Sequence, residues 1–233
     1  MTEKENKFLF MYPIQEYFDF DIQNGAYCYY ASNRDFNEPF LRRLKNAKTK
    51  QEKNSIKEAA RQAMMDKFSI IFSRLLNLTI DQRYRQRGFK INYALFDDKD
   101  VSPFVSLQTE DRIIKVGLTF KEHTTKRDDG TYKYPDFNEL LNKLDPNNIL
   151  HLRLAGFHLW DCVDKVAKKA YERGIDVLVD EDLTEFFEFM IRRSEFRTDK
   201  YPTFNPRKTS GSKNSFALYM KPRLERPWLW QKY

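Results

Sequence analysis

The sequence predicts an α/β fold, a parallel sheet flanked by helices, and three observations predict it. Short apolar runs alternate with segments of helical period, the links between them in the second half of the chain are brief, and Gly174 stands where a helix must end before the next apolar run. Such alternation requires strand–helix–strand crossovers, which are right-handed and lay helices on both faces of a sheet.

The elements follow in order. Residues 8–12 (FLFMY) form an apolar run stopped by Pro13, the mark of a buried strand ending at a residue that cannot donate to a ladder. Residues 37–86 read as an amphipathic helix or helix pair. Ile56, Ala60, Met64, Phe68, Ile71, Leu75 and Leu78 recur every three to four positions there, with Lys and Arg between them. Residues 91–96 (INYALF) and 112–118 (RIIKVGL) are strands, separated by a stretch that opens on an acidic run ending at Pro103. A polar loop with a tight turn at Asp128-Asp129-Gly130 precedes a helix carrying Phe137, Leu140, Leu141 and Leu144, started by Pro135 and Asp136 and stopped by Asp145-Pro146. Residues 149–155 (ILHLRLA) make the next strand. A turn over 156–161 then leads into a helix whose Val163, Val166, Ala167 and Ala170 share one face, and Gly174 supplies its left-handed C′ position. Ile175, Val177 and Val179 form a further strand that Asp180-Glu181-Asp182 should close. Asp182 or Thr184 can then cap a helix bearing Phe186, Phe187 and Met190. No internal repeat is visible.

Composition bounds the function. With 41% hydrophobic and 32% charged residues in 233, the chain belongs with globular proteins and can bury a sizeable core. No apolar run reaches the ~20 residues of a membrane span, and the start, with Glu3 and Glu5, lacks the basic region of a signal peptide, so a cytoplasmic protein with no membrane partner is expected. Only Cys28 and Cys162 are present, which suits free thiols in a reducing compartment. The net charge of +7 is unevenly placed: residues 1–40 carry −4, 41–90 carry +10, 91–190 carry −7 and 191–233 carry +8. Either the basic blocks meet an anionic partner or they dock on the acidic centre of their own chain.

The candidate chemistry lies in the turn before the helix that begins near residue 162. In an open parallel sheet reactive groups collect outside the carboxyl ends of the strands, and a thiol at a helix start meets unpaired N–H groups that favour thiolate. A small buried structural cysteine is the competing reading.

The run Ala155-Gly156-Phe157-His158-Leu159-Trp160-Asp161-Cys162-Val163, followed by Ala167, Ala170, Gly174 and Asp182, resembles the nucleophile region of the isochorismatase-like cysteine hydrolases. The resemblance spans residues 137–185, is weak over 7–18 and is undetectable in the tail. It implies that Cys162 is the nucleophile position and that the amides of Asp161 and Cys162 form the oxyanion hole. It also implies Lys133, with Lys115 second, as the family's lysine. The family closes its first strand with an aspartate and follows it with a glutamine; here the glutamine is Gln15 and Pro13 occupies the aspartate's place. Asp19 and Asp21 lie a few residues beyond. The metal-bearing members use an aspartate and two histidines, whereas His123, His151 and His158 are scattered here, so no metal and no cofactor is expected. His158 is the alternative proton acceptor beside the turn, and bulky Trp160 with polar His158 should fill the substrate pocket.

After Arg193 the chain changes character. Aromatic residues, among them Trp228 and Trp230, interleave with cations that include Arg207, Lys208, Arg223 and Arg226, amid prolines and without a period apart from a short apolar run at 216–220 (FALYM). Flat rings among cations suit stacked bases and phosphates, and suit protein interfaces equally. The sequence therefore predicts an isochorismatase-like domain over 1–195 with an insert over about 37–86, and a basic aromatic arm over 196–233. A non-catalytic role in binding or assembly, as a homo-oligomer or with a protein partner, is the leading reading. An active hydrolase of a small amide or ester through Cys162, and a nucleic-acid-binding protein using 41–90 and 191–233, are the alternatives.

Overall fold

The computed structural model of the protein describes residues 4–32, 34–184, 196–200 and 224–229. Strands β1 (Glu5–Met11), β2 (Lys90–Leu95), β3 (Arg112–Lys115), β4 (Ile149–Gly156) and β5 (Asp176–Thr184) make one sheet in the order β3-β2-β1-β4-β5. Every pairing is parallel. β1 is central, with Met11 in register with Ala94 on one side and Gly156 on the other. Because the order reverses at β1, the crevice of this doubly wound sheet opens at the carboxyl ends of β1 and β4.

Three helices, α1 (Gln15–Ser32), α2 (Arg34–Asn46) and α3 (Lys50–Thr79), connect β1 to β2. One face of the sheet, through Phe8, Phe10, Ile91 and Tyr93, packs on Phe18 and Ile22 of α1 and Phe68, Phe72 and Leu76 of α3. The other, through Leu9, Met11, Leu152, Leu154 and Val177, packs on α5 (Phe137–Lys143) and α6 (Asp164–Glu172). Helix starts follow their local chemistry. Thr49 and Glu52 form a capping box at α3, Thr119 and Glu122 another at the short α4 (Phe120–Thr124), and Asp136 caps α5 through the amides of Asn138 and Glu139. Gly174 follows α6 in the left-handed conformation, φ +74°.

Helix extends further than the periodicity over 37–86 predicts, beginning at Gln15 and breaking between Asn46 and Lys50. The buried stripe of α3 is Ala60, Met64, Phe68, Phe72 and Leu76, so Leu75 only flanks it and Ile71 is half-buried. A π-helical turn, Ile80–Tyr84, then brings both Arg83 and Tyr84 into the interior.

The largest correction concerns β5. Asp180-Glu181-Asp182 do not close it; the strand runs on to Thr184, so Asp182 lies inside the strand and caps no helix, while the residues that Thr184 would cap lie outside the described ones. Two buried aspartates survive in a strand because Arg83 reaches them: Nη1 donates to Asp180 Oδ1 and Oδ2 and to Asp182 Oδ2, each at 2.9 Å. The boundary expected at 195, the helix with Phe186, Phe187 and Met190, and the run at 216–220 fall outside the described residues.

Candidate functional site

The crevice is built by three chain reversals. At the end of β1, Tyr12 adopts φ +56°, its amide still bonded to the Ala94 carbonyl, and its ring stacks on Phe96 at 4.2 Å between centroids. A left-handed non-glycine residue costs roughly 1–2 kcal/mol, which burial of a tyrosine ring readily offsets. At the end of β4, Gly156 lies against the backbone of Met11 and the Phe157 amide donates to the Met11 carbonyl at 3.1 Å. The peptide between Phe157 and His158 is cis. A π-helical turn, Leu159–Val163, follows, with Asp161 bent out of helical geometry (φ −129°, ψ −107°), and delivers Cys162 into the crevice beside α6.

Cys162 is 2% exposed. Burial, and then the neighbouring Asp161 charge, push its thiol up to about 12, against smaller opposing effects of Tyr12 and Lys165, so it is a thiol at neutral pH. The carboxylate that reaches it is that of Asp161, with Oδ2 at 4.0 Å from the sulfur, and the other oxygen of that carboxylate holds Lys165. Burial lowers the proton affinity of Lys165, but its bonds to Asp161 and Tyr134 more than restore it, and its ammonium lies 3.2 Å from the Tyr134 ring centroid. β1 contributes no carboxylate at its end: Tyr12 and Pro13 stand there, both buried. Gln15, kept from the resemblance, accepts from Ser102 Oγ at 2.8 Å and donates to Asp19 at 2.6 Å. It thereby ties the start of α1 to the loop after β2. Asp21 is buried on α1.

The other expected site residues scatter. Lys133 Nζ pairs with Glu122 at 2.7 Å on the surface; that bond and the Thr119 cap hold Glu122 down at about 2. Lys115 Nζ donates to the carbonyls of Phe96 and Lys99. The lysine in the crevice is Lys165, one turn after Cys162, a signal that helical spacing alone could have given. The expected oxyanion amides are not both free, since the Asp161 N–H donates to the His158 carbonyl at 3.1 Å. Trp160 does not fill the pocket: it is 41% exposed, and Arg226 lies over its ring at 5.5 Å. The filling comes from elsewhere. Tyr17 contacts Phe157, Phe120 and His158 at 5.2, 5.6 and 4.9 Å, and His123 contacts Phe96 and Tyr134 at 5.1 and 5.4 Å.

His123 is the residue whose place sequence spacing concealed. It is buried at the base of α4, its Nδ1 lies 2.7 Å from the Lys133 carbonyl, and a ring nitrogen lies with the Asp161 carboxylate and Cys162 Sγ in a group spanning no more than 4.8 Å. A carbonyl can only accept, so Nδ1 carries a proton, and in the neutral ring the lone pair is then on Nε2. The scatter of histidines along the sequence therefore does not hold in space for His123, though His151 pairs with Asp176 at the opposite end of the sheet.

Of the binding residues expected in the arm, Arg226 and Trp228 are described, and both meet their own domain: Arg226 Nε and Trp228 Nε1 donate to Asp164 at 3.0 and 2.8 Å, and Trp228 is buried beside Tyr171. Arg207, Lys208, Arg223 and Trp230 lie outside the described residues. No helix among the described residues is long and apolar enough to cross a membrane.

Compared with models of known families, with curated proteins and with solved structures, the chain finds no match. The fold and site define an α/β protein with a five-stranded, doubly wound parallel sheet that carries a buried cysteine at its crevice.

Proposed function

We propose that this chain is a divergent isochorismatase-like protein that has kept the scaffold, given up hydrolysis and acts by binding. The observation that supports the loss of chemistry is geometric: the sulfur at the nucleophile position is buried beneath aromatic side chains, and the strand that should bring a base ends in Tyr12 and Pro13. A nucleophile needs a base within hydrogen-bonding reach and an open approach for substrate. In the full chain, with a chelator present, Cys162 will react with iodoacetamide no faster than unfolding exposes it, and denaturant will release it. Native labelling near neutral pH at the rate of an exposed activated thiol would return the chain to the hydrolases.

The surface with the best warrant for binding is the α2–α3 hairpin. Phe40, Leu41, Leu44, Ile56, Ala60 and Met64 line an apolar groove of about 280 Å³, with Leu41 55% exposed. Lys57 and Arg61 line it too, and Arg43, Lys48 and Glu52 line the adjoining depression that shares Ile56; Lys45, Lys50 and Lys53 lie on the same two helices. An apolar groove inside a cationic rim fits an acidic amphipathic helix, which offers side chains to the groove and carboxylates to the rim. Nucleic acid offers phosphates but nothing aliphatic for the groove. A designed helix with Leu at i, i+3, i+4 and i+7 and Glu elsewhere should bind the full chain, more weakly as salt rises and more weakly to Leu41→Asp at all salts. Binding of an oligonucleotide in its place, lost in the triple variant Lys50→Glu/Lys53→Glu/Lys57→Glu, would overturn the assignment of partner.

A further inference from the structure

We infer that His123, Asp161 and Cys162 form a binding site for a single Zn²⁺ ion. They come from two parts of the fold, His123 from α4 after β3 and the consecutive Asp161 and Cys162 from the bend of the π-helical turn. Their ligand atoms nevertheless already lie within 4.8 Å of one another. Donors sharing one zinc at bond lengths of about 2.0–2.3 Å sit roughly 3–4 Å apart, so the set needs to contract by only about 1 Å.

The chemistry of the donors selects the ion. Thiolate with imidazole and one carboxylate suits zinc, while magnesium and calcium want oxygen alone. Each donor is also prepared. The hydrogen bond from His123 Nδ1 to the Lys133 carbonyl is the support that metal-bound histidines have, and it leaves Nε2 as the ligand. Asp161 keeps Oδ2 toward the sulfur while Lys165 holds its other oxygen.

A second, independent observation points into the same space. The Tyr12 hydroxyl is wholly buried and makes no hydrogen bond of good geometry, although it faces the Cys162 sulfur. A buried hydroxyl without a partner costs about 1–3 kcal/mol. A metal-bound thiolate, a far stronger acceptor than the sulfur of a thiol, supplies that partner. On binding, the Cys162 proton leaves to solvent, the sulfur and Nε2 each give a lone pair to the ion, and water takes the fourth position. The site is structural in this account. It would tie the loop carrying α4 to the turn before α6, so it stands independently of the partner read from the α2–α3 hairpin.

The test uses the full chain, stripped of metal by chelator and titrated with Co²⁺ and then Zn²⁺. One equivalent of Co²⁺ should bind with a sulfur-to-cobalt charge-transfer band that Zn²⁺ displaces, and Zn²⁺ should raise the unfolding temperature. Cys162→Ser should abolish the band while Cys28→Ser leaves it. His123→Gln, which removes the ring ligand but keeps an amide to meet the Lys133 carbonyl, should weaken Zn²⁺ by more than the ~10–100-fold expected for an outer partner, and Tyr12→Phe by about that amount. Absence of the band, or its survival in Cys162→Ser, overturns the site. Should Cys162→Ser lose its circular-dichroism signature, unchanged affinity in His123→Gln overturns it equally. The labelling of Cys162 under chelator is unaffected by either result, so failure of the metal site and failure of the non-catalytic reading are separable.

Discussion

Replacing Gly156 with alanine will destabilise the protein by roughly 3–5 kcal/mol, a large share of the ~5–15 kcal/mol typical of a folded domain. Two costs combine at this position. The backbone has φ +105°, a region that side chains other than glycine's hydrogen rarely enter, and a Cβ would lie 2.1 Å from the Met11 carbonyl oxygen and 2.7 Å from its nitrogen. Both atoms are backbone of the central strand, so neither can rotate away. The chain would have to part β4 from β1 where the Phe157 amide meets the Met11 carbonyl. Gly174→Ala provides the comparison, because its φ is +74° but nothing lies within 4 Å of the Cβ. It should cost about 1 kcal/mol, the price of a left-handed alanine alone. Urea unfolding followed by tryptophan fluorescence measures both. Equal destabilisation would mean that β1 and β4 do not approach as closely as the register requires.

The same contact explains which parts of the fold were legible in the sequence. β1, β2 and β4 are the inner strands and largely buried, so FLFMY, INYALF and ILHLRLA mark them by their apolar content, to within one residue for β2 and β4 and three at the start of β1. α5 and α6 are legible from their apolar faces, and Gly174 from the left-handed turn it makes. α1 was missed although Ile14, Phe18, Ile22 and Ala26 recur every four residues, because Asp, Gln and Tyr between them hide the period. The site was less legible. Gly156 and Cys162 stand out locally, but Tyr12 and His123 reach Cys162 only through the parallel topology, and the role of Lys165 depends on the bend at Asp161. The end of β5 could not be read at all from Asp180-Glu181-Asp182, since the cation that lets those residues stay buried comes from the π-helical turn after α3.

That cation makes the last prediction. Replacing Arg83 with methionine, which keeps much of the volume, will cost about 3–5 kcal/mol by leaving buried acids without their cation. Arg83 is 1% exposed and Asp180 fully buried; the guanidinium also donates through Nη2 to the carbonyls of Arg197 and Lys200 at 2.5 and 2.6 Å. The two aspartates divide the work. Asp180 accepts from Arg83, from the Tyr84 hydroxyl at 2.5 Å and from the Asp182 amide at 3.1 Å. Asp182 has one oxygen on Arg83 and the other buried without a partner. Burial, then the charge of Asp180, pushes Asp182 well above the ordinary carboxylate range despite Arg83. The sign of the linkage follows: an acid whose folded value is raised stabilises fully below the ordinary carboxylate range, and that stabilisation is lost as pH rises through its folded value. Asp182→Asn should therefore flatten the decline of stability with rising pH, and in the Arg83→Met background Asp180→Asn should recover part of the loss, since it removes a buried charge that no longer has a cation beside it. Because residues 196–200 rest on Arg83 through their carbonyls, Arg83→Met should also speed tryptic cleavage after Arg197 and Lys200 well below the unfolding midpoint. Unchanged cleavage there, with stability within 1 kcal/mol of the parent, would show that the guanidinium neither anchors that segment nor balances the two aspartates.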